Sequence, residues 1–204
     1  MLVCFDLGGV LIRICRTWDE GCIAAGVPTR PFETDPDHIA RRHALVMSLQ
    51  RGELEDTEFH QQLSDLFDGT WDREEVASID DAWLLGPYEG TKELVSELDD
   101  AGIRTACLSN TSAGHWDALL SFENVDRLSI RHASHLLGMV KPDPRIYAEF
   151  ERLVGVSSKE IVFFDDLEAN IEAATSHGWD AVSIDHEGDT AKQMRAALRE
   201  RGIL

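Results

Sequence analysis

The chain opens Met1-Leu2-Val3-Cys4-Phe5-Asp6-Leu7-Gly8-Gly9-Val10-Leu11-Ile12. Residues 2–5 are a continuous apolar run, too short for a helix and of the kind a strand covered on both faces requires. A carboxylate follows at once, and then two glycines that let the chain turn sharply. The carboxyl end of a buried strand is where open α/β sheets place their ligands. The same pattern recurs downstream. Thr105-Ala106-Cys107-Leu108 runs into Ser109-Asn110-Thr111, and Ile161-Val162-Phe163-Phe164 runs into Asp165-Asp166, with Asn170 a helical turn on. Ala181-Val182-Ser183-Ile184 is a fourth run. Helical patterns follow or separate these runs over 91–101, 144–154, 168–177 and 190–201, with Gly102, Gly155 and Gly178 placed as C-terminal caps. Buried strands alternating with amphipathic helices predict an α/β fold with a Rossmann-like parallel sheet.

Residues 15–85 differ. They carry helical periodicity and almost no strand signal. The segments 37–50, 56–67 and 72–84 each begin near an acidic residue that can cap a helix, and Gly52 and Gly69 separate them. The expectation is a small helical cap inserted after the first strand, with Gly86-Pro87-Tyr88-Glu89-Gly90 as the return hinge. The expected division is a core of residues 1–14 and 87–204 and a cap of residues 15–86. A length of 204 residues suits one compact domain carrying such an insertion.

Thirty-eight acidic residues against 19 basic ones give a formal charge of -19. A phosphate backbone or an anionic membrane is bound by clustered Lys and Arg, and the nearest thing to a cluster here is the pair Arg41-Arg42. Nucleic acid and membrane are therefore not expected partners, and the acidity reads as a solubility device. No run of 18 apolar residues is present, and the apolar opening lacks the basic flank of a signal peptide. Cys4, Cys15, Cys22 and Cys107 fit no metal-ligand spacing and read as reduced, structural thiols, which points to the cytoplasm.

Four polar groups fall at the ends assigned to strands: Asp6, then Ser109-Asn110-Thr111, then Lys141 within Gly138-Met139-Val140-Lys141-Pro142-Asp143-Pro144, then Asp165-Asp166. Each alone reads as a turn former, a capping cluster or a surface lysine. Two adjacent carboxylates at a buried strand end repel each other and call for a cation, and an oxygen-only donor set favours Mg²⁺. Together the four supply what phosphoryl transfer needs, a carboxylate to attack phosphorus and groups that hold and neutralise its oxygens.

In this order the motifs resemble those of the haloacid dehalogenase superfamily, over essentially the whole chain. The resemblance implies a Mg²⁺-dependent phosphatase in which Asp6 is the nucleophile, Ser109 with Asn110 beside it binds the phosphoryl group, and Lys141 pairs with Asp6 and phosphate. It implies a metal held by Asp6, the Gly8 carbonyl, Asp165 and Asp166. Asp166 is favoured as the direct ligand, and Asn170 supports the pair. Gly8 departs from the pattern, because most phosphatases of the superfamily carry a general-acid aspartate there. A missing general acid costs about 10²–10⁴ in rate. Either the leaving group is weakly basic or another residue donates, and His115 is the candidate. The stretch 5–10 with 108–111 and His115 is similar to the bacterial α-D-glucose-1-phosphate phosphatase branch, which also has Gly here. The expected substrate is a small phosphorylated metabolite such as a sugar 1-phosphate, and one of Arg41 and Arg42 could reach it. The rival readings are a metal-independent 2-haloacid dehalogenase and a phosphate-binding protein with little or no turnover.

Overall fold

The computed structural model describes residues 1–204. Strand β1 (Leu2–Phe5) pairs in parallel with β4 (Arg104–Ser109) on one side and with β6 (Ile161–Asp165) on the other. Strands β5 (Ile130–Ala133) and β7 (Asp180–Ser183) complete a five-stranded sheet in the order β5-β4-β1-β6-β7. The chain leaves β1 toward β4 and later returns to its other side at β6. The strand order therefore reverses about β1, and the carboxyl ends of β4, β1 and β6 meet at one place.

Alternation along the strands covers both faces. Val3, Phe5, Val162 and Phe164 pack with Leu94 and Leu98 of helix α5 (Thr91–Asp100) and with Met194 and Leu198 of helix α11 (Thr190–Glu200). Leu2, Cys4, Ile161 and Phe163 face the other way, onto Ile146, Tyr147 and Phe150 of helix α9 (Pro144–Val154). Helix α10 (Glu168–His177) also lies on this face through Ala174. Helices α6 (Ala113–Leu120), α7 (Glu123–Asp126) and α8 (Ser134–Leu137) fill the connections on the β4–β5 side. All four cysteines are buried free thiols. No helix is long and apolar enough to cross a membrane.

Between β1 and β4 lie helices α1 (Trp18–Ala25), α2 (Pro36–Gln50), α3 (Asp56–Leu66) and α4 (Arg73–Asp81). Asp35 caps α2, accepting from the N–H groups of Asp37 at 2.9 Å and His38 at 3.1 Å, and Pro36 takes the first turn, where it costs no hydrogen bond. Asp72 and Glu75 form a reciprocal capping box on α4. These helices bury their own cluster, with Trp71 fully enclosed among Trp18, Phe67, Leu63 and Ile79. The indole N–H of Trp71 donates to the Pro28 carbonyl at 3.1 Å.

Strand β2 (Ile12–Ile14) leads into this segment and β3 (Leu84–Pro87) leads out of it, and the two pair antiparallel with a bulge at Arg13/Ile14. That corrects the reading of 72–84 as one helix and of the return hinge as a loop, since a strand begins at Leu84. Helix α4 ends at Asp81, and Gly86 and Pro87 belong to a strand. Three- and four-residue strands are too short to show alternation. Trp71→Ala removes the largest side chain of the helical cluster and should lower unfolding free energy by about 3–5 kcal/mol in a urea titration. A loss below about 1 kcal/mol would show that this cluster collapses easily around the gap.

Candidate active site

Asp6 sits where the β1 ladder ends. Its N–H donates to the Phe164 carbonyl at 2.8 Å, which fixes the backbone, and its Oδ1 accepts from the Leu7 N–H at 2.7 Å. Its Oδ1 also lies 3.1 Å from Lys141 Nζ. Burial pushes the Asp6 carboxyl up to about 7. Lys141 offsets part of that rise, and repulsion from Asp165 and Asp166 adds to it.

Lys141 does not end a strand, contrary to the sequence expectation. It lies in the loop between α8 and α9, before a cis peptide bond to Pro142. Met139-Val140 mimics a strand, but Gly138 closes α8 in the left-handed region and two prolines deny the segment ladder donors. Asn110 brings the loop to the site. Its Nδ2 donates to the Lys141 carbonyl at 2.9 Å, and its Oδ1 accepts from the Lys141 N–H at 2.8 Å. Both ends of the Asn110 amide are thus spent on positioning Lys141.

The Lys141 ammonium is fully buried and donates to Asp165 Oδ2 at 2.6 Å. Burial alone would lower its pKa, and the carboxylates of Asp165 and Asp6 more than reverse that, holding it above the usual lysine range. Asp165 is also held by the Leu167 N–H at 2.9 Å and by Asn170 Nδ2 at 3.0 Å from each oxygen. Ser109 is buried at the end of β4, beside this group.

Asp166 is held differently. Its Oδ2 is buried and receives no hydrogen bond. The Arg16 Nη1 lies 2.8 Å away without hydrogen-bond alignment, so the contact is a charge pairing only. Gly9, at φ 81°, makes this possible, because a Cβ there would collide with the Asp166 carboxylate and the Arg16 guanidinium. Asp6, Asp165 and Asp166 each offer an oxygen, all within 4.8 Å of one another. A hard cation with oxygen ligands fits this set, and the unpartnered Asp166 oxygen is the one left for it.

A cavity of about 260 Å³ opens above Gly8, Ser109 and Asn110, walled by α2, α3 and α4. Ile14 fills the space beside Gly8, where an added Cβ would meet its Cδ1 at 3.1 Å and its Cγ2 at 3.5 Å. His115 lines the cavity, but its Nε2 is 2.8 Å from the Asp80 carbonyl and 3.5 Å from Asp80 Oδ1, so it ties α6 to α4. Asp80 Oδ2 in turn is 3.0 Å from His60 Nε2. Arg42 lines the cavity, whereas Arg41 faces an outer groove. Sequence reasoning missed Ile14 and Arg16. Both follow from the β2–β3 ladder, which turns residues 14–16 back over the end of β1.

Residues 1–178 match the family model of haloacid dehalogenase-like hydrolases. The chain belongs to that family. This haloacid dehalogenase-like hydrolase is 28% identical over 143 residues to Phosphatase MT3486 of Mycobacterium tuberculosis, a match covering 67% of the chain and 64% of that protein. It is 29% identical over 118 residues to (S)-2-haloacid dehalogenase 4A of Burkholderia cepacia, covering 57% of the chain and 51% of the dehalogenase. The hydrolase thus spans less than two thirds of the length of either. Its fold matches that of a HAD family enzyme from Bacteroides thetaiotaomicron, solved with magnesium and inorganic phosphate, at a TM-score of 0.74 and 22% identity over 92% of this chain and 96% of that one.

A metal ion bound at Asp166 would compete with Arg16 for the same carboxylate oxygen. Arg16→Gln should therefore bind Mn²⁺ about two- to fivefold more tightly in the absence of substrate, read from free Mn²⁺ by electron paramagnetic resonance. Unchanged or weaker binding would show that the guanidinium does not compete.

Proposed function

We propose that this hydrolase is a Mg²⁺-dependent phosphatase acting on a small phosphorylated metabolite through a phosphoaspartyl intermediate on Asp6. The observation that carries the reading is the state of Asp6. Its Oδ1 is held by Leu7 and Lys141, its Oδ2 has no donor, and two further carboxylates lie within 4.8 Å. The phosphatase from M. tuberculosis and the magnesium and phosphate bound by the B. thetaiotaomicron enzyme support it. Asp6, Asp166 and the Gly8 carbonyl would hold the metal, with Asp165 behind them. When bound, Mg²⁺ supplies charge neutralisation for the phosphoryl oxygens.

Asp6 Oδ2 attacks phosphorus, the ester P–O bond breaks, and the leaving oxygen departs with the electron pair. Water then attacks phosphorus, the bond from phosphorus to Asp6 Oδ2 breaks to free the carboxylate, and inorganic phosphate leaves with the water's oxygen, its proton passing to phosphate or solvent. Lys141 holds Asp6 aligned, and the Ser109 hydroxyl donates to the phosphoryl group. We propose that residues 15–86 act as a cap on the core formed by 1–14 and 87–204, excluding bulk water during transfer to Asp6 and reopening for release. No acid occupies position 8, and His115 Nε2 is engaged with Asp80. The reading therefore favours a weakly basic leaving group, of which a sugar 1-phosphate, leaving as a hemiacetal oxygen, is the form the sequence suggests. The buried free thiols suit a reducing compartment such as the cytoplasm.

Phosphate release should require Mg²⁺, stop on chelation and fall to background in Asp6→Asn. Full activity in that variant would remove Asp6 as nucleophile. Chloride release from a 2-haloacid without metal would favour the dehalogenase reading, which the similarity to the B. cepacia enzyme keeps in view. Gly8→Asp alone should not improve turnover of alkyl phosphates, because its Cβ presses on Ile14. Gly8→Asp with Ile14→Ala should raise it, by up to about 10². A gain from the single variant would contradict the steric account.

A further inference from the structure

The cavity has a polarity that the phosphoryl chemistry does not explain. Helix α2 turns one face into it, carrying Arg42, Val46, Leu49 and Gln50, a spacing that keeps all four on one side of a helix. Gln50 marks the end near the core, since its carbonyl accepts from Ser134 Oγ at 2.6 Å and Ser134 Oγ accepts from the Thr111 N–H at 2.9 Å. Arg42 lies eight residues earlier, about 12 Å along the helix axis. Between the two, the wall is Val46 and Leu49, faced by Phe59 and Leu63 of α3.

Arg42 is half-buried and forms none of the protein's ion pairs. The other arginine lining the cavity, Arg16, is taken by Asp166. The one carboxylate that lines the cavity, Asp80, is held by His60 and lies against His115. A guanidinium left without a counter-charge in a chain of net charge -19 is not explained by packing. It is a planar, permanently charged donor set suited to an oxyanion, and the apolar wall beside it weakens screening by water.

We propose that Arg42 is a specificity-determining residue that recognises a second oxyanion, a carboxylate or a second phosphate, on the far end of the substrate's leaving group. The proposal rests on the phosphatase reading and narrows its substrate class to phosphate esters bearing two separated anionic groups. The Ser109–Asn110 end takes the phosphoryl group, the Val46, Leu49, Phe59 and Leu63 wall takes the spacer, and Arg42 takes the distal charge. Arg41, one residue away, faces the outer groove and plays no part.

Three aryl esters test this, because phenols leave without an acid and the missing aspartate at position 8 does not limit them. They are phenyl phosphate, para-carboxyphenyl phosphate and hydroquinone bisphosphate, assayed with Mg²⁺ present. The wild type should prefer one or both of the doubly anionic esters by about tenfold in kcat/KM, the worth of one charge-assisted hydrogen bond. Whichever is preferred tells carboxylate from phosphate. Arg42→Gln should abolish the preference through KM while leaving phenyl phosphate turnover within about twofold, Arg42→Lys should retain part of it, and Arg41→Gln should retain all of it. No preference in the wild type, or an equal preference in Arg42→Gln, would overturn the proposal while leaving the phosphatase reading intact. No turnover of any of the three would remove that reading and the proposal with it.

Discussion

One buried ammonium makes this site possible. Asp6, Asp165 and Asp166 converge at the ends of adjacent strands, and three carboxylates so close would be too costly to desolvate without cations among them. Lys141 is the permanent cation, 2.6 Å from Asp165 and 3.1 Å from Asp6, carried on a loop that Asn110 pins by its backbone. The rest of the arrangement follows from how that single charge is shared. Asp165, with Lys141, Asn170 and the Leu167 N–H upon it, is fully satisfied. Asp6 gets part of the ammonium and stays strained toward protonation. Asp166 gets none and leans on Arg16. The charge deficit is therefore concentrated on Asp6 and Asp166, which is where a divalent cation would relieve it.

The second constraint is steric. Ile14 reaches over Gly8 because the β2–β3 ladder returns the chain across the end of β1. A side chain added at position 8 would therefore press on an aliphatic group, and Gly8 itself has no proton to give a leaving group. Above it, three polar contacts hold the helical cap against the core: Asp80 with His115, Asp56 Oδ2 with the Gly114 N–H at 3.1 Å, and the Gln50 carbonyl with Ser134 Oγ. On the proposed reading, a helical cap over a floor with no acid at position 8 suits phosphoryl transfer shielded from bulk water and a leaving group that needs no proton.

The strands with both faces covered were legible because burial on both sides makes them continuous apolar runs: 2–5, 105–108 and 161–164 could be read with their terminal polar residues. Strand β5 was not, since at the sheet edge Ile130-Arg131-His132-Ala133 mixes exposed and buried positions and reads as a loop. Asp6, Ser109, Asp165 and Asp166 were legible as strand-end residues. Lys141 was found for the right chemistry and the wrong geometry, because nothing local distinguishes Met139-Val140 from a short strand. Asn110 was seen beside the phosphoryl group, while its pairing with a backbone 31 residues away has no local signature. Arg16 and Ile14 were invisible because their roles depend on a ladder between residues about 70 to 75 positions apart, whose strands are too short to announce themselves.

The net charge of -19 gains a sharper meaning from the structure. An acidic surface would repel a phosphorylated substrate at long range, so on the proposed reading attraction to the phosphoryl group must be local, from the Lys141 ammonium beside Asp6 together with the metal. On the proposed reading, all of this serves one event, transfer of a phosphoryl group to Asp6. The most direct test is to acid-quench the enzyme within its first turnovers of phenyl phosphate and Mg²⁺ and to map phosphorylated peptides by mass spectrometry. The account predicts a phosphoryl group on the Asp6 side chain, discharged when the enzyme is left to turn over before quenching. Turnover with no covalent adduct, or with the adduct on another residue, would contradict it.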